Sequence, residues 1–192
     1  MLSILILAAG TSSRMRGTDK LMQPVGGQPL IRHVVQTAIA TGLPVRVTLN
    51  PAFPARRAAL SDLPATLIET ADHQMSASIK AGVARLTDSA VLLLLADMPD
   101  LTGDDLATMI HAHHQTPLQI LRATSAAGKP GHPVILPAAL IGELAALEGD
   151  EGARKLLLHH QGITRLIALP DQHATTDLDT PEDWAVWASR RE

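Results

Sequence analysis

Short apolar runs alternate along the chain with longer stretches whose apolar positions recur at helical spacing. That pattern describes a largely parallel sheet covered by helices on both faces. Residues 2–7 (LSILIL) read as a buried strand, followed by a Gly-, Ser-, Thr- and Arg-rich loop running to Lys20. Over residues 30–41, Leu30, Val34 and Ala38 repeat at helical spacing, and Gly42 stands where a C-cap falls. Residues 45–49 form a second strand ended by Asn50-Pro51; a short Ala/Arg helix and a strand at 65–68 follow. A helix is expected over 76–86, with Ser76 or Ser78 near its start, and a central strand over 91–95, the most apolar run. Thr102 is a fair N-cap, with acids in the first turn of the next helix. Strands at 118–122 and 133–136, helices at 138–147 and 152–159, and a strand at 165–169 complete the alternation. Thr180 followed by Pro181 opens a terminal helix that reaches Ser189. No repeat or linker interrupts this order, so one α/β domain is expected over residues 1–192, with a Rossmann-like three-layer fold and a mostly parallel central sheet.

Composition narrows the functions such a sheet can carry. With 46% apolar and 18% charged residues, 192 residues have ample material for a core. Aromatic residues make up only 2%, and the net charge is -3, which argues against base-stacking platforms and phosphate-tracking surfaces. No nucleic-acid partner is expected. The absence of cysteine excludes disulfides, thiolate metal sites and a cysteine nucleophile. The apolar runs at 4–9 and 90–96 fall far short of the roughly 20 residues a membrane span needs. Met1-Leu2-Ser3 carries no charged leader, so a cytoplasmic protein without a membrane partner is expected.

Three segments carry candidate chemistry. The loop after the first strand, LAAGTSSRMRGTDK at 7–20, combines small residues with Arg14, Arg16 and Lys20. Small residues let backbone N–H groups approach an anion, and three cations in seven residues suit a triphosphate. The loop matches neither common nucleotide fingerprint, and the alternative is a solvated strand-to-helix loop. Asp97, in LADMPD, follows the central strand, where open α/β sheets bind ligands. It is a candidate Mg²⁺ ligand, since Mg²⁺ is held by one or two carboxylates plus substrate phosphates; a turn acid is the plainer reading. Asp177 and Asp179 share a face if their segment is extended, and either supplies a second ligand or supports the helix start beyond it. Lys129–Pro133 and Gly149–Arg154 are weaker candidates for contact with a second substrate. The histidines at 111, 113, 114, 159 and 160 lack acidic partners at metal-ligand spacing.

Taken in order, LAAG-TSSRM at 7–15 with Lys20, QMSASIKAG at 74–82, LADMPDLT at 95–102, GHPV at 131–134, GDEGARKLL at 149–157 and DLDTPEDW at 177–184 resemble the molybdenum-cofactor nucleotidyltransferases. Within them the chain is similar to the molybdenum cofactor cytidylyltransferase branch. The resemblance implies a fold of the nucleotide-diphospho-sugar transferase type and transfer of CMP from CTP to a molybdopterin-type acceptor. Mg²⁺ is the implied cofactor, and a molybdoenzyme or its chaperone the implied recipient. It places the nucleotide on Leu7, Ala8, Ala9, Gly10, Arg14, Lys20, Met75, Ser76, Ser78 and Asp97, with Arg14, Lys20 and Asp97 catalytic. Asp97 and Asp179 would hold the metal, and His132, Asp150 and Arg154 would face the acceptor. LAAG, with Ala9, resembles the CTP-using branch, whereas LAGG is usual in the GTP-using one. The chain departs from the family pattern at Arg16, with Gly one place later at 17, and at Gln74. Asp19, just before Lys20, sets an acid beside the expected phosphate.

Overall fold

A computed structural model describes residues 1–72, 74–86, 88–149 and 152–190. In chain order the elements are β1 (Leu2–Ala8), β2 (Pro24–Val25), β3 (Gln28–Pro29), α1 (Leu30–Ile39), β4 (Val45–Leu49), α2 (Pro54–Ala58), β5 (Thr66–Glu69), α3 (Met75–Val83), β6 (Ala90–Leu95), α4 (Gly103–Gln115), β7 (Ile120–Thr124), β8 (Pro130–Leu136), α5 (Ile141–Ala145), α6 (Arg154–His159), β9 (Thr164–Ala168) and α7 (Pro181–Ser189). Seven strands form one sheet in the order β5-β4-β1-β6-β8-β7-β9. β8 runs antiparallel to both its neighbours, and the other pairings are parallel. The expected three-layer, mostly parallel architecture is the one observed.

Alternation along the central strands builds two cores. Leu2, Ile4, Ile6 and Ala8 of β1 pack with Leu30, Val34 and Ala38 of α1, Leu106 and Met109 of α4 and Trp187 of α7. Leu5 faces the other way, toward Ile79 and Val83 of α3, Leu144 of α5 and Leu156 of α6. Gly82 sets how closely α3 lies on the sheet, because a Cβ there would fall 2.4 Å from the methyls of Leu5.

The differences from the sequence reading have local causes. The helix expected to reach residue 86 stops at Val83, where Arg85 takes a left-handed φ of 67°. α6 begins at Arg154 rather than 152, since Gly152 sits at φ 56°, outside helical geometry. The stretch over 138–147 splits into a single 3-10 turn and α5, yet Leu140 and Leu144, four residues apart, still reach the core. β8 starts earlier than expected, at Pro130, and β7 later, at Ile120. A hairpin of two-residue strands, β2 and β3, turns through Gly26 and Gly27, both at positive φ.

The chain leaves β1 for β4 on one side and later returns to β6 on the other. The carboxyl ends of β1 and β6 therefore flank the topological switch point, where open α/β sheets form their ligand crevice.

Candidate active site

The loop leaving β1 is tightly folded. Ala8 and Ala9 are buried while Gly10 is open. Two single 3-10 turns follow, Ser13–Met15 and Lys20–Met22, the second capped by the Asp19 carboxylate accepting from the Leu21 N–H at 3.0 Å. Ser12 and Arg16 hold left-handed φ values of 54° and 52°. These are sparsely populated for such residues, and such outliers cluster at functional sites. The N–H groups of Ala9, Gly10 and Thr11 donate no hydrogen bond among the described residues. Ala9 is buried, and buried backbone donors are almost always paired, so its N–H marks a place for an acceptor from outside the chain, with the exposed N–H groups of Gly10 and Thr11 beside it.

From the far end of this loop, Lys20 reaches two carboxylates. Its Nζ donates to Asp97 Oδ2 at 2.5 Å and to Asp179 Oδ1 at 2.6 Å. Arg14 Nη1 lies 2.8 Å from the other oxygen of Asp179. Asp97 stands two residues past β6, and the segment holding Asp179 is tied to it by the Leu178 N–H donating to the Asp97 carbonyl at 3.2 Å. A capping box, Thr180 with Asp183, and Pro181 at the start of α7 fix the far end of that segment. Burial works against the charge of Lys20, but the two carboxylates outweigh it and hold its pKa above the ordinary lysine value. Burial, and then the charges of Asp97 and Asp179, push the Asp177 carboxyl up.

Asp97 Oδ1 is buried and has no hydrogen-bond partner among the described residues. An unpaired buried carboxylate oxygen, next to a second carboxylate and bordering the same cavity as Ala9 and Gly10, fits a hard divalent cation shared with phosphate oxygens. Asp97 and Asp179 are the residues that could hold it.

These groups surround a cavity of about 310 Å³, lined by Leu7, Ala8, Ala9, Gly10, Arg14, Lys20, Met75, Ser78, Asp97 and Asp179 among others. A second cavity of about 800 Å³ shares Leu7 and Met75 with it. The second has apolar walls (Ile79, Leu93, Val134, Leu157) and carries Arg122, Lys129, His132 and Arg154. The His132 Nδ1 is buried without a partner among the described residues, and burial lowers the His132 pKa.

Comparison with known proteins accords with this geometry. Residues 4–163 match the family described as the MobA-like NTP transferase domain. The chain belongs to this family. Among relatives, GlmU of Acidithiobacillus ferrooxidans, a bifunctional protein, is 35% identical over 135 residues, covering 67% of this chain and 29% of GlmU. The chain thus spans less than a third of that relative's length. Nicotine blue oxidoreductase of Paenarthrobacter nicotinovorans is 27% identical over 92% of this chain and 91% of its own. The crystal structure of Rv0371c from Mycobacterium tuberculosis superposes with a TM-score of 0.86 at 27% identity, covering 98% and 97% of the two chains. A structure of Rv0371c in complex with manganese aligns at 0.81 and 26%, over 96% of each chain.

Most of the residues singled out in the sequence meet in this MobA-like domain. Leu7, Ala8, Ala9, Gly10, Arg14, Lys20, Met75, Ser78, Asp97 and Asp179 border the smaller cavity; Ser76 is buried in α3 and does not. His132 and Arg154 border the larger cavity, and Asp150 lies outside the described residues. Asp19 does not stand against the expected phosphate. Its carboxylate turns inward and accepts two hydrogen bonds from Arg56, each 2.8 Å long. Arg56 itself is wholly buried and escaped the sequence reading, because an arginine in a short Ala/Arg helix reads as solvent-facing.

Proposed function

We propose that the protein is a nucleotidyltransferase that moves CMP from CTP to the terminal phosphate of a molybdopterin-type cofactor, releasing pyrophosphate. The observation that carries this reading is the convergence of Arg14, Lys20, Asp97 and Asp179 on one cavity with Ala9 and Gly10, whose N–H groups have no partner among the described residues. The triphosphate lies on that loop, and Arg14 and Lys20 balance its charge and that of the departing pyrophosphate. The acceptor phosphate is already anionic at neutral pH, so the chain need supply no general base. Its task is to hold two anionic substrates in line. The larger cavity takes the acceptor, its apolar walls against the ring system and its cations, Arg154 among them, toward the anionic groups. Mg²⁺, held by Asp97 and Asp179, supplies Lewis-acid polarisation of the phosphoryl oxygens when bound. The structure of Rv0371c in complex with manganese supports the use of a divalent ion. CTP is favoured over GTP by Ala9 in the LAAG sequence, and the molybdopterin acceptor by the ordered motifs of the whole chain.

Pyrophosphate release with Mg²⁺ and molybdopterin cofactor, comparing CTP, GTP and ATP at equal concentration, tests the proposal. Release with CTP alone supports it. Release with GTP keeps the mechanism and overturns the specificity. No release from folded protein that still binds the pterin would identify a carrier rather than an enzyme.

A further inference from the structure

We infer that Arg56 is the positioning residue of the phosphate-binding loop, building its anion-binding face from behind without touching substrate. The inference rests on the nucleotide site proposed above. Arg56, on α2, is 0% exposed, and its guanidinium lies 4.1 Å from the centroid of the Phe53 ring. Each of its five N–H donors has an acceptor. Nη1 donates to the carbonyls of Ala8 and Gly10, both at 2.7 Å. Nη2 donates to Ser12 Oγ at 3.1 Å and Asp19 Oδ1 at 2.8 Å, and Nε donates to Asp19 Oδ2 at 2.8 Å.

The two carbonyl contacts determine which way the loop's donors face. In a trans peptide the carbonyl and the next N–H point in opposite directions. Drawing the Ala8 and Gly10 carbonyls onto Arg56 therefore turns the Ala9 and Thr11 N–H groups away from it. These are two of the three donors with no partner among the described residues. Asp19 extends the same brace to the other end of the loop: it accepts from Ser12 Oγ at 3.2 Å and caps the turn that begins at Lys20, whose own N–H donates to Ser12 Oγ at 3.3 Å. A buried ion pair serving stability alone needs only the Asp19 contacts. The bonds to the Ala8 and Gly10 carbonyls are the part that acts on the anion site.

Tripolyphosphate, which carries the charge of a nucleotide without its base, is the probe, titrated while the amide resonances of Ala9, Gly10 and Thr11 are followed. In the unmodified protein these three amides shift on binding. Arg56→Lys keeps the charge opposite Asp19 but has three donors for five acceptors, so its affinity falls about tenfold and the three shifts shrink. Phe53→Leu removes only the ring against which the guanidinium lies, and weakens binding about two- to fivefold with all donors retained. Each protein is measured well below its unfolding midpoint, and Phe53→Leu keeps the test available if Arg56→Lys does not fold. Equal affinity and equal shifts in the variants and the parent would overturn the role of Arg56 while leaving the nucleotide site standing. Absence of shifts at 9–11 in the unmodified protein would overturn both.

Discussion

Asp97→Asn separates the electrostatic role of this carboxylate from its place in the fold. The amide is nearly isosteric and can still accept from Lys20 Nζ, which lies 2.5 Å from Oδ2 and retains Asp179 at 2.6 Å. What changes is a charge-assisted hydrogen bond becoming a neutral one, with both side chains mostly shielded: 13% exposed for Lys20 and 16% for Asp97. The difference amounts to about 1–2 kcal/mol, or a Tm lower by about 2–8 °C in a domain of this size. The effect on turnover should be far larger. Losing one preorganised group that stabilises developing charge lowers kcat roughly 10²–10³-fold. Asp179→Asn should fall into the same range, and the double variant should lose little beyond either single one, because the two carboxylates act as a unit. The assay is kcat for pyrophosphate release at saturating nucleotide, alongside thermal unfolding. Asp100→Asn serves as the control: three residues on, its carboxylate accepts from Trp187 Nε1 at 2.8 Å, so stability should fall while kcat holds. An Asp97→Asn protein that is folded and turns over within about threefold of the parent would refute the charge role, since the expected loss is at least about a hundredfold.

Gly131→Ala should be severely disruptive, because its Cβ would fall 1.8 Å from the backbone oxygen of Ala174, where β8 docks on the segment leading to Asp177 and Asp179. A Tm drop matching about 1–3 kcal/mol or more, with raised KM and lowered kcat, is expected; an unchanged protein would show that this close approach is not required. Burial lowers the pKa of His132, so its folded state binds fewer protons than the unfolded chain. Its contribution to stability is complete above the unfolded value near 6.5 and is lost as pH falls through the folded pKa. Urea unfolding of His132→Gln should therefore show a shallower loss of stability below pH 6.5 than the parent. His113, lowered chiefly by its own burial, keeps part of the slope in both proteins. Parallel acid limbs would remove His132 from the account.

The sequence exposed most of the frame because the central strands are buried on both faces: LSILIL and AVLLLL hold a single polar residue, Ser3, which is itself buried. It could not expose the direction of β8. PVIL packs between β6 and β7, and a strand buried on both sides has the same apolar pattern whichever way it runs. β2 and β3, at two residues each, are too short to carry any alternation, and only Gly26-Gly27 marks their turn. The site divides in the same way. Lys20 and Asp97 are visible because chemistry-bearing residues directly follow apolar strands. Arg56 is not, because its significance lies in contacts reaching 37 to 48 residues back, to Asp19 and Ala8, which no spacing encodes. Asp19, read alone, stands beside the phosphate, and only the position of Arg56 shows that it faces the interior.

Label transfer from CTP shows which bond of the triphosphate is broken. The protein is incubated with Mg²⁺, molybdopterin cofactor and CTP labelled at either the α- or the γ-phosphate, and the pterin product is then isolated. Nucleotidyl transfer predicts α-label in the product and γ-label wholly in pyrophosphate, with both reactions stopped by chelation of the metal and lost in Asp97→Asn. Label from the γ-position on the pterin, or a product that acquires no label while the cofactor remains bound, would contradict it.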